Sequence, residues 1–331
     1  MNTQTTPKEV FFMRKNLCKA VLLGMLCFAL IFSAGGCLLP KTEPKPEAQP
    51  SDAPTVSRQP IADNPLIDET SFTEPEVSSL QEAFRGKIVV LDPGHGFGDT
   101  GCPFPGSSLL EKDITPILVA KIREALEADG VTVLQTHDGQ RFPSGSEMQA
   151  LASSLSYDAD AYLHRLVGQY SGADPARQEE IVASFQSGIN DDDLFSIYER
   201  SHYANLLSAG AKAPADLFVS IHVNANESST ALSGFELYSC TDTPYARRSS
   251  LLMDALEQGL QQAFPQTVSR KIAWDWSEAF VVNKYPDMPS VLIESGYATN
   301  PIDRANLQNE AWQNAFARAV ANGIELFLLD L

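Results

Sequence analysis

The chain has 331 residues, of which 44% are hydrophobic, and its formal net charge is −18. This length and apolar content are sufficient for one sizeable core with additional segments. The acidic balance excludes a protein built to bind nucleic acid, because phosphate binding requires a basic surface.

Residues 1–36 have the organisation of a secretory signal peptide. A basic segment between Lys8 and Lys19 precedes the apolar run 20–32, and small residues then lead directly to Cys37. Small residues before a cysteine resemble a bacterial lipobox, which predicts that residues 1–36 are removed and that Cys37 carries lipid. A cleaved signal without lipid and an uncleaved membrane helix are the alternatives, although the run is shorter than the ~20 apolar residues that span a bilayer. All three interpretations predict export, and the first anchors the protein by lipid to the outer face of a membrane.

Residues 37–86 are predicted to form the anchor cysteine and a disordered tether. From Pro40 to Pro75 the chain is rich in Pro, Ser, Thr, Glu and Asp and has few large apolar residues. Such a segment cannot bury enough surface to offset its ordering entropy. It would give a catalytic domain reach away from the membrane.

Residues 87–331 alternate short apolar runs with helical patterns. This alternation predicts an α/β fold with helices on both faces of a sheet. The predicted strands are 88–91, 131–136, 217–222, 234–239 and 290–294, and the predicted helices are about 113–128, 194–209, 246–264 and 311–328.

Four ionisable residues stand out because they flank the ends of these elements. His95 follows the first strand, His222 and Glu294 end later strands, and Glu111 opens the first long helix. In open α/β sheets, ligands bind beyond the carboxyl ends of the strands. Two imidazoles and a carboxylate with one open position are what a hydrolytic Zn²⁺ requires, and a second carboxylate can act as general base. A single histidine at a strand end is usually structural, so the prediction depends on the coincidence of all four.

The residues around these four resemble a known family of enzymes. The matching blocks, in chain order, are Val89–Gly96 (VVLDPGHG), Gly98–Gly101 (GDTG), Glu111–Asp113 (EKD), Ser220–Ala225 (SIHVNA) and Val291–Asn300 (VLIESGYATN), with Arg200 and Ala204-Asn205 in the helix before the second histidine. Together they resemble the zinc-dependent N-acetylmuramoyl-L-alanine amidases of the cell-separation and sporulation type. The resemblance runs from about Lys87 to the C-terminus, with one insertion.

The resemblance implies the chemistry and the fold. It makes His95, Glu111 and His222 the ligands of one Zn²⁺ and Glu294 the catalytic acid/base. The implied reaction is hydrolysis of the amide between N-acetylmuramic acid and L-alanine in peptidoglycan, in cell-wall remodelling or cell separation. The implied fold is a single mixed sheet of about six strands flanked by helices on both faces.

Two other functions fit parts of the sequence. A zinc peptidase that cuts wall cross-link peptides would use the same metal chemistry with a different groove. A catalytically inactive wall-binding lipoprotein would share the anchor, but it has no need of Glu294. Peptidoglycan and the membrane, through the lipid anchor, are the predicted partners, and the sequence does not identify any protein partner.

Several other residues carry open alternatives. Phe97 and Cys102 stand where the resembling family commonly has glycine and alanine. For Cys102 a small buried hydrophobe is favoured over a further metal donor, and it is favoured as a free thiol, like Cys240, over a bridge between the two. Asn224 either orients substrate or caps a turn. The histidines outside the motif blocks are interpreted as structural or surface residues, and they are His137, His164 and His202.

An aromatic pair and an insertion also stand out in the sequence. Trp274 and Trp276 either stack on a sugar or pack in a core. Residues 141–193 interrupt the resemblance and carry apolar residues at helical spacing, which predicts two or more amphipathic helices. They are predicted to form a cap that borders the substrate groove, and the alternative is a decoration on a distant face.

Overall fold

The computed structural model describes residues 79–189 and 197–330. The predicted signal peptide, Cys37 and nearly all of the predicted tether lie outside the described residues, as do the last residues of the predicted insertion, 190–193. None of the helices in the described part of the chain is both long and apolar enough to cross a membrane.

Six strands form one sheet in the order β2-β1-β3-β6-β4-β5. The strands are β1 (Ile88–Pro93), β2 (Thr132–Gln135), β3 (Leu217–Asn224), β4 (Phe235–Cys240), β5 (Ser269–Trp274) and β6 (Ser290–Tyr297). Strand β4 runs antiparallel to β6, and all other neighbouring pairs are parallel. The predicted single mixed sheet of about six strands is therefore confirmed.

Strand β5 has no counterpart among the strands predicted from apolar runs. Its sequence, Ser-Arg-Lys-Ile-Ala-Trp, carries charge, and none of its residues is fully buried. Among the described strands it lies at the edge of the sheet and pairs with β4 alone. An edge strand needs less apolar surface than a central strand, so its hydrophobic pattern is weak.

Helices cover both faces of the sheet. They are α1 (Ser79–Ala83), α2 (Glu111–Ala128), α3 (Gly145–Leu155), α4 (Ala159–Tyr170), α5 (Pro175–Ile189), α6 (Ile197–Gly210), α7 (Ala246–Ala263), α8 (Val281–Lys284), α9 (Pro301–Leu307) and α10 (Glu310–Leu329). Several begin at the side-chain caps that the sequence supplies. The Asn300 side chain, for example, accepts hydrogen bonds from the backbone N–H groups of Ile302 and Asp303.

The two faces of the sheet have different cores. Alternate residues of β1, β3 and β6, such as Leu91, Val219 and Ile293, pack with α2, α7 and α10 in a large apolar cluster. On the opposite face, Val90, Phe218 and Leu292 join a smaller cluster with residues of α6 and α8. Because side chains alternate between faces along a strand, Asp92, Ser220, His222 and Glu294 belong to the smaller-core face. This face therefore changes from apolar to polar toward the carboxyl ends of the parallel strands.

The predicted insertion forms three helices, α3, α4 and α5. Helix α3 begins at a capping box in which Ser144 and Glu147 bond each other's backbone N–H groups. Helices α4 and α5 bury an apolar stripe in a third cluster, which includes Val167, Phe185, Trp276 and Tyr285.

The third cluster lies at the end of the sheet remote from the carboxyl ends of β1, β3 and β6. Cys240 belongs to this cluster and ends β4, and β4 runs antiparallel to β6, so Cys240 lies beside the start of β6. The Tyr162 hydroxyl of α4 donates to the Pro286 carbonyl, just before β6 begins. Helices α4 and α5 therefore pack away from the edge at which the four predicted site residues lie. Phe142, at the start of the insertion, instead packs on His137 beside the His95 loop.

Candidate metal centre

The loop after β1 places His95 by means of a strained turn. Three consecutive residues have positive φ: His95 at 60°, Gly96 at 136° and Phe97 at 50°. The backbone N–H groups of Gly96 and Asp99 each donate to the other residue's carbonyl, and this closes the turn. Positive φ costs a residue with a Cβ about 1–2 kcal/mol, and such strain is concentrated at functional sites.

Glu111 is the first residue of α2, and its carboxylate is fixed by backbone donors. The N–H of Val223 donates to Oε1 at 2.8 Å, and the N–H of Cys102 donates to Oε2 at 3.0 Å. The side chain is only 3% exposed. A buried carboxylate held by two backbone bonds is oriented before any ligand arrives.

His222 lies near the carboxyl end of β3, next to the loop that carries His95. A Cβ atom added to Gly94 would lie 2.6 Å from the His222 ring, so the close approach of this loop requires glycine. The two imidazole rings lie edge to face with centroids 4.8 Å apart.

The three predicted ligands have the spacing of a metal site. His95 Nε2 lies 3.2 Å from Glu111 Oε2, and His222 Nδ1 lies 3.1 Å from Glu111 Oε1. One donor atom from each residue can be chosen so that all lie within 4.8 Å of one another, and this is the one such group found among the described residues. Ligands about 2.0–2.1 Å from a tetrahedral Zn²⁺ lie roughly 3.3 Å apart. The observed donor set and spacing therefore fit zinc.

The charges of the three side chains are strongly coupled. Burial lowers the pKa of His95, but the Asp99 and Glu111 carboxylates outweigh burial and raise it to about 9. Burial raises the pKa of Glu111, but the two imidazoles outweigh this and hold it well below its usual range. Burial lowers the pKa of His222 despite its contact with Glu111. A neutral imidazole and an ionised carboxylate are the forms that bind metal.

Glu294 lies beside His222 on the adjacent strand. The Cα atoms of the two residues are register partners, so both side chains project from the same face. Its Oε2 atom is buried and has no hydrogen-bond partner. Burial, and next the charge of Glu111, raise the pKa of Glu294 well above its usual range, although His95 opposes the shift. The structure thus brings all four predicted site residues together at one edge of the sheet.

Sequence reasoning did not single out Asp99, although it lies in the GDTG block. Its Oδ1 lies 2.8 Å from His95 Nδ1, while Nε2 of the same ring faces Glu111. A carboxylate on the second nitrogen of a ligating histidine fixes the ring and raises its basicity. The sequence feature that could have identified Asp99 is its position in a turn, four residues after His95.

A buried carboxylate on β4, Glu236, was also missed. It accepts hydrogen bonds from the hydroxyls of Tyr238 and Tyr297 and from the side-chain amide of Asn224. Its Cα is the register partner of Glu294. The sequence of β4 did not indicate a role for this glutamate, because its partners come from other strands and only the folded sheet brings them together. The Asn224 side chain thus donates to Glu236 and accepts a hydrogen bond from the backbone N–H of Ala225.

A second buried polar cluster lies behind the metal edge. Asp92 accepts hydrogen bonds from the hydroxyls of Thr136 and Ser220, each at 2.6 Å. The Arg200 guanidinium lies 3.7 Å from Asp92 and donates to the Pro93 carbonyl at 3.1 Å. This cluster ties helix α6 to the strand that leads into the His95 loop.

The structure shows where the two cysteines and the two tryptophans lie, for which the sequence left alternatives open. Cys102 and Cys240 are free thiols, and Cys102 is half-buried with its Sγ 3.3 Å from the Val223 carbonyl. Trp276 is buried in the third cluster, and Trp274 packs against Tyr238 and Phe280. Both tryptophans lie at the end of the sheet away from the metal edge. They therefore pack in a core, which was the second of the two alternatives, and do not stack on a sugar at the metal site.

Fold and site together define an α/β protein with a His/Glu/His group and an additional carboxylate at one edge of its sheet. The Amidase_3 family model, described as N-acetylmuramoyl-L-alanine amidase, matches residues 89–165 and 185–326. The chain therefore belongs to the N-acetylmuramoyl-L-alanine amidase family, which confirms the resemblance drawn from its sequence blocks. The interruption at 166–184 falls within the predicted insertion.

Individual proteins are similar over most of the chain. N-acetylmuramoyl-L-alanine amidase LytC of Bacillus subtilis is 27% identical over 259 residues, which cover 78% of this chain and 39% of LytC. Uncharacterized protein YqiI of the same organism is 27% identical over 74% of this chain and 87% of its own length. The crystal structure of an N-acetylmuramoyl-L-alanine amidase from Clostridium difficile 630 superposes with a TM-score of 0.51 at 21% identity, covering 73% of this chain and 96% of that one. This last similarity supports the fold.

Proposed function

We propose that this protein is a zinc-dependent amidase that hydrolyses the bond between N-acetylmuramic acid and L-alanine in peptidoglycan. The observation that carries the proposal is the convergence of His95, Glu111 and His222 with the Glu294 carboxylate beside them. The family membership and the name of LytC support the choice of bond. The chain spans 39% of the length of LytC, so the activity of the whole chain is part of the proposal.

Zinc would be held by the two imidazoles and Glu111. When bound, it supplies Lewis acidity that polarises the scissile carbonyl and makes a water molecule more acidic. The protein contributes a rigid donor set: backbone N–H groups orient Glu111, and Asp99 orients His95. Three protein ligands held in this way would leave zinc free to act on substrate and water.

Glu294 would move the protons of the reaction. Its carboxylate accepts a proton from the attacking water and later gives it to the leaving nitrogen of L-alanine. Its buried Oε2 is hydrogen-bonded to no protein group, so no other partner competes for this role. Burial and the charge of Glu111 raise its pKa, which favours proton uptake, whereas a bound cation would favour the ionised form that starts the cycle.

The proposed setting is the outside of a bacterial cell. The interpretation of residues 1–36 and Cys37 as a lipoprotein signal places the domain at the outer face of a membrane, and the segment up to residue 86 gives it reach into the wall. Cell-wall remodelling or cell separation is the proposed role, and LytH of Staphylococcus aureus, a similar protein, is described as a probable cell wall amidase.

Digestion of purified peptidoglycan tests the proposed bond. We expect new amino termini on L-alanine, intact stem peptides and one zinc per chain in the active protein. Release of cross-link fragments with no new L-alanine amino termini would instead establish a peptidase. Wall binding with no product from the zinc-loaded protein would leave only a binding function.

Mass spectrometry of the mature N-terminus tests the anchor. We expect the first residue to be Cys37 with attached lipid. A mature chain that begins elsewhere, or an unmodified Cys37, would overturn the lipoprotein interpretation without affecting the enzymatic proposal.

A further inference from the structure

The metal loop exposes a phenylalanine at a position that disfavours one. Phe97 is 64% exposed, and its φ of 50° lies in the left-handed region. Among the described residues, it is the one large apolar side chain that combines such exposure with a positive φ. Scattered exposed apolar residues need no explanation, but an exposed aromatic ring on strained backbone, in the loop of a metal ligand, does.

The position of Phe97 is fixed from two sides. The Lys112 ammonium donates to the Phe97 carbonyl at 2.9 Å. The Phe97 ring meets the Phe142 ring edge to face, with centroids 5.6 Å apart, and Phe142 packs against the His137 ring at 4.5 Å. The first residues of the insertion thus support the metal loop, although α4 and α5 lie at the far end of the sheet.

The distance from the metal ligand limits what the ring can contact. Phe97 is two residues from His95, so their Cα atoms are at most ~7 Å apart. In the proposed substrate, the groups attached to the scissile amide are the muramic acid pyranose on one side and the stem peptide on the other. When the amide is at the metal, one of these groups is within reach of a side chain attached so close to His95.

The chemistry around Phe97 favours the pyranose. The ring is neutral, and the neighbouring Arg141 is already paired with Glu147. A stem peptide carries carboxylates, to which a chain of net charge −18 offers little long-range attraction. A pyranose presents apolar C–H groups to an aromatic face and hydroxyls to nearby acceptors. The carboxylate of Asp99, 43% exposed and two residues from Phe97, can supply such acceptors.

We propose that Phe97 is a specificity-determining residue that stacks on a pyranose ring of the glycan strand next to the scissile amide. This inference rests on the proposed function, because it assumes a peptidoglycan substrate. The Phe142 and His137 rings support Phe97 from behind, and Asp99 accepts hydrogen bonds from the sugar hydroxyls.

Substitutions at Phe97 test the proposal without endangering the fold. Phe97→Gly relieves the positive φ, so this variant should unfold at the same or a higher temperature than the parent. Phe97→Leu keeps apolar bulk but lacks a flat ring face, and Phe97→Tyr keeps the face. Leu251→Ala, at an exposed site on α7, is the control.

Binding is measured in the full chain carrying Glu294→Gln, with two probes: glycan strands stripped of peptides and free stem peptides. We expect Phe97→Gly and Phe97→Leu to weaken glycan binding about two- to tenfold, as loss of an aromatic contact does. Phe97→Tyr and Leu251→Ala should bind glycan like the parent, and stem-peptide binding should stay unchanged throughout. In the otherwise native chain, the KM for wall should rise by the same factor in the first two variants, with zinc content constant.

Three outcomes would overturn the proposal: equal glycan binding by Phe97→Gly and the parent, equal binding by Phe97→Leu and Phe97→Tyr, or a loss confined to stem peptides. The last would assign the ring to the peptide. These outcomes are distinct from failure of the proposed function, which would appear as absence of new L-alanine amino termini in the parent digest. If the parent cleaves no such bond, the comparison of glycan binding between the Phe97 variants and the parent still tests whether the ring contacts a sugar.

Discussion

The two ends of the sheet bury different kinds of side chain. At the metal edge, polar groups are buried at high cost, and atoms such as Glu294 Oε2 have no protein partner. At the remote end, helices α4 and α5 close an apolar cluster around Phe185 and Trp276. Helix α6 belongs to both regions, because its Tyr198 packs on Phe185 and its Arg200 reaches the Pro93 carbonyl.

This difference between the two ends indicates that one end of the domain serves function and the other serves stability. Unpartnered polar atoms and strained φ angles concentrate where a ligand can compensate for them, as at His95 and Phe97. The apolar end has fewer such features, namely the buried Tyr157 hydroxyl without a partner and Ser156 at a φ of 52°, and it contributes mainly by burial. Substitutions at the metal edge should therefore change chemistry, and those at the remote end should change folding.

The largest expected effect is loss of the metal. His95→Ala and His222→Ala each remove one of three ligands, so each should lose most bound zinc and with it wall digestion. Zinc content by atomic absorption is the measurement. His164→Ala, on the exposed face of α4, is the matched control and should retain both zinc and activity. Stoichiometric zinc in either ligand variant would contradict the assignment.

Replacement of the proposed acid/base should separate chemistry from metal binding. Glu294→Gln keeps the shape of the side chain but cannot accept a proton, and loss of a general base costs about 10²–10⁴-fold in rate. The zinc content should remain that of the parent. Glu179→Gln, an exposed carboxylate on α5, is the control for charge. Parental activity, or wholesale metal loss, in Glu294→Gln would refute this role.

At the remote end, the expected effect is on stability. Phe185 is 5% exposed, and its ring centroid lies 4.4 Å from that of Tyr285. Phe185→Ala should lower the free energy of unfolding by about 3–5 kcal/mol, measured by urea denaturation. The folded fraction should retain zinc and parental turnover. A parental unfolding curve would show that α4 and α5 do not contribute to the domain core, and reduced turnover by fully folded protein would show coupling between the two ends.

The smallest expected effect concerns a buried histidine that borders both the metal loop and the insertion. Burial lowers the pKa of His137 to about 4, although Asp92 partly opposes this. Gly139 N–H donates to Nδ1, so Nε2 carries the proton and donates to the Pro93 carbonyl. The unfolded chain, with a pKa near 6.5 at this residue, binds more protons between these values, so stability falls as pH drops from 6.5 toward 4.

Urea unfolding at pH 7 and pH 5 measures this contribution, which should be about 2 kcal/mol. Metal-free protein is used, so that loss of zinc in acid does not contribute. His137→Gln should show a pH dependence that is smaller by that amount. Identical pH dependence in the two proteins would show that His137 does not titrate as the buried contacts require.

Much of the site was predictable because its residues lie in local patterns. His95, Glu111, His222 and Glu294 each adjoin a strand end or a helix start, and apolar runs locate those ends. The mixed sheet followed from the family resemblance, and the alternation of strands and helices agreed with it. The roles assigned to the four residues stay predictions until the variants are measured.

The sequence by itself determined the α/β class, the four candidate residues, the blocks that indicate the family and the helical character of the insertion. The tertiary structure decided the edge strand β5, the supporting carboxylates Asp99 and Glu236, the packing of Trp276 and the position of α4 and α5. Periodicity reports which face of an element is buried, but not which distant surface buries it. The Glu236 contacts and the placement of the insertion depend on residues far apart in the chain, which only the completed fold brings together.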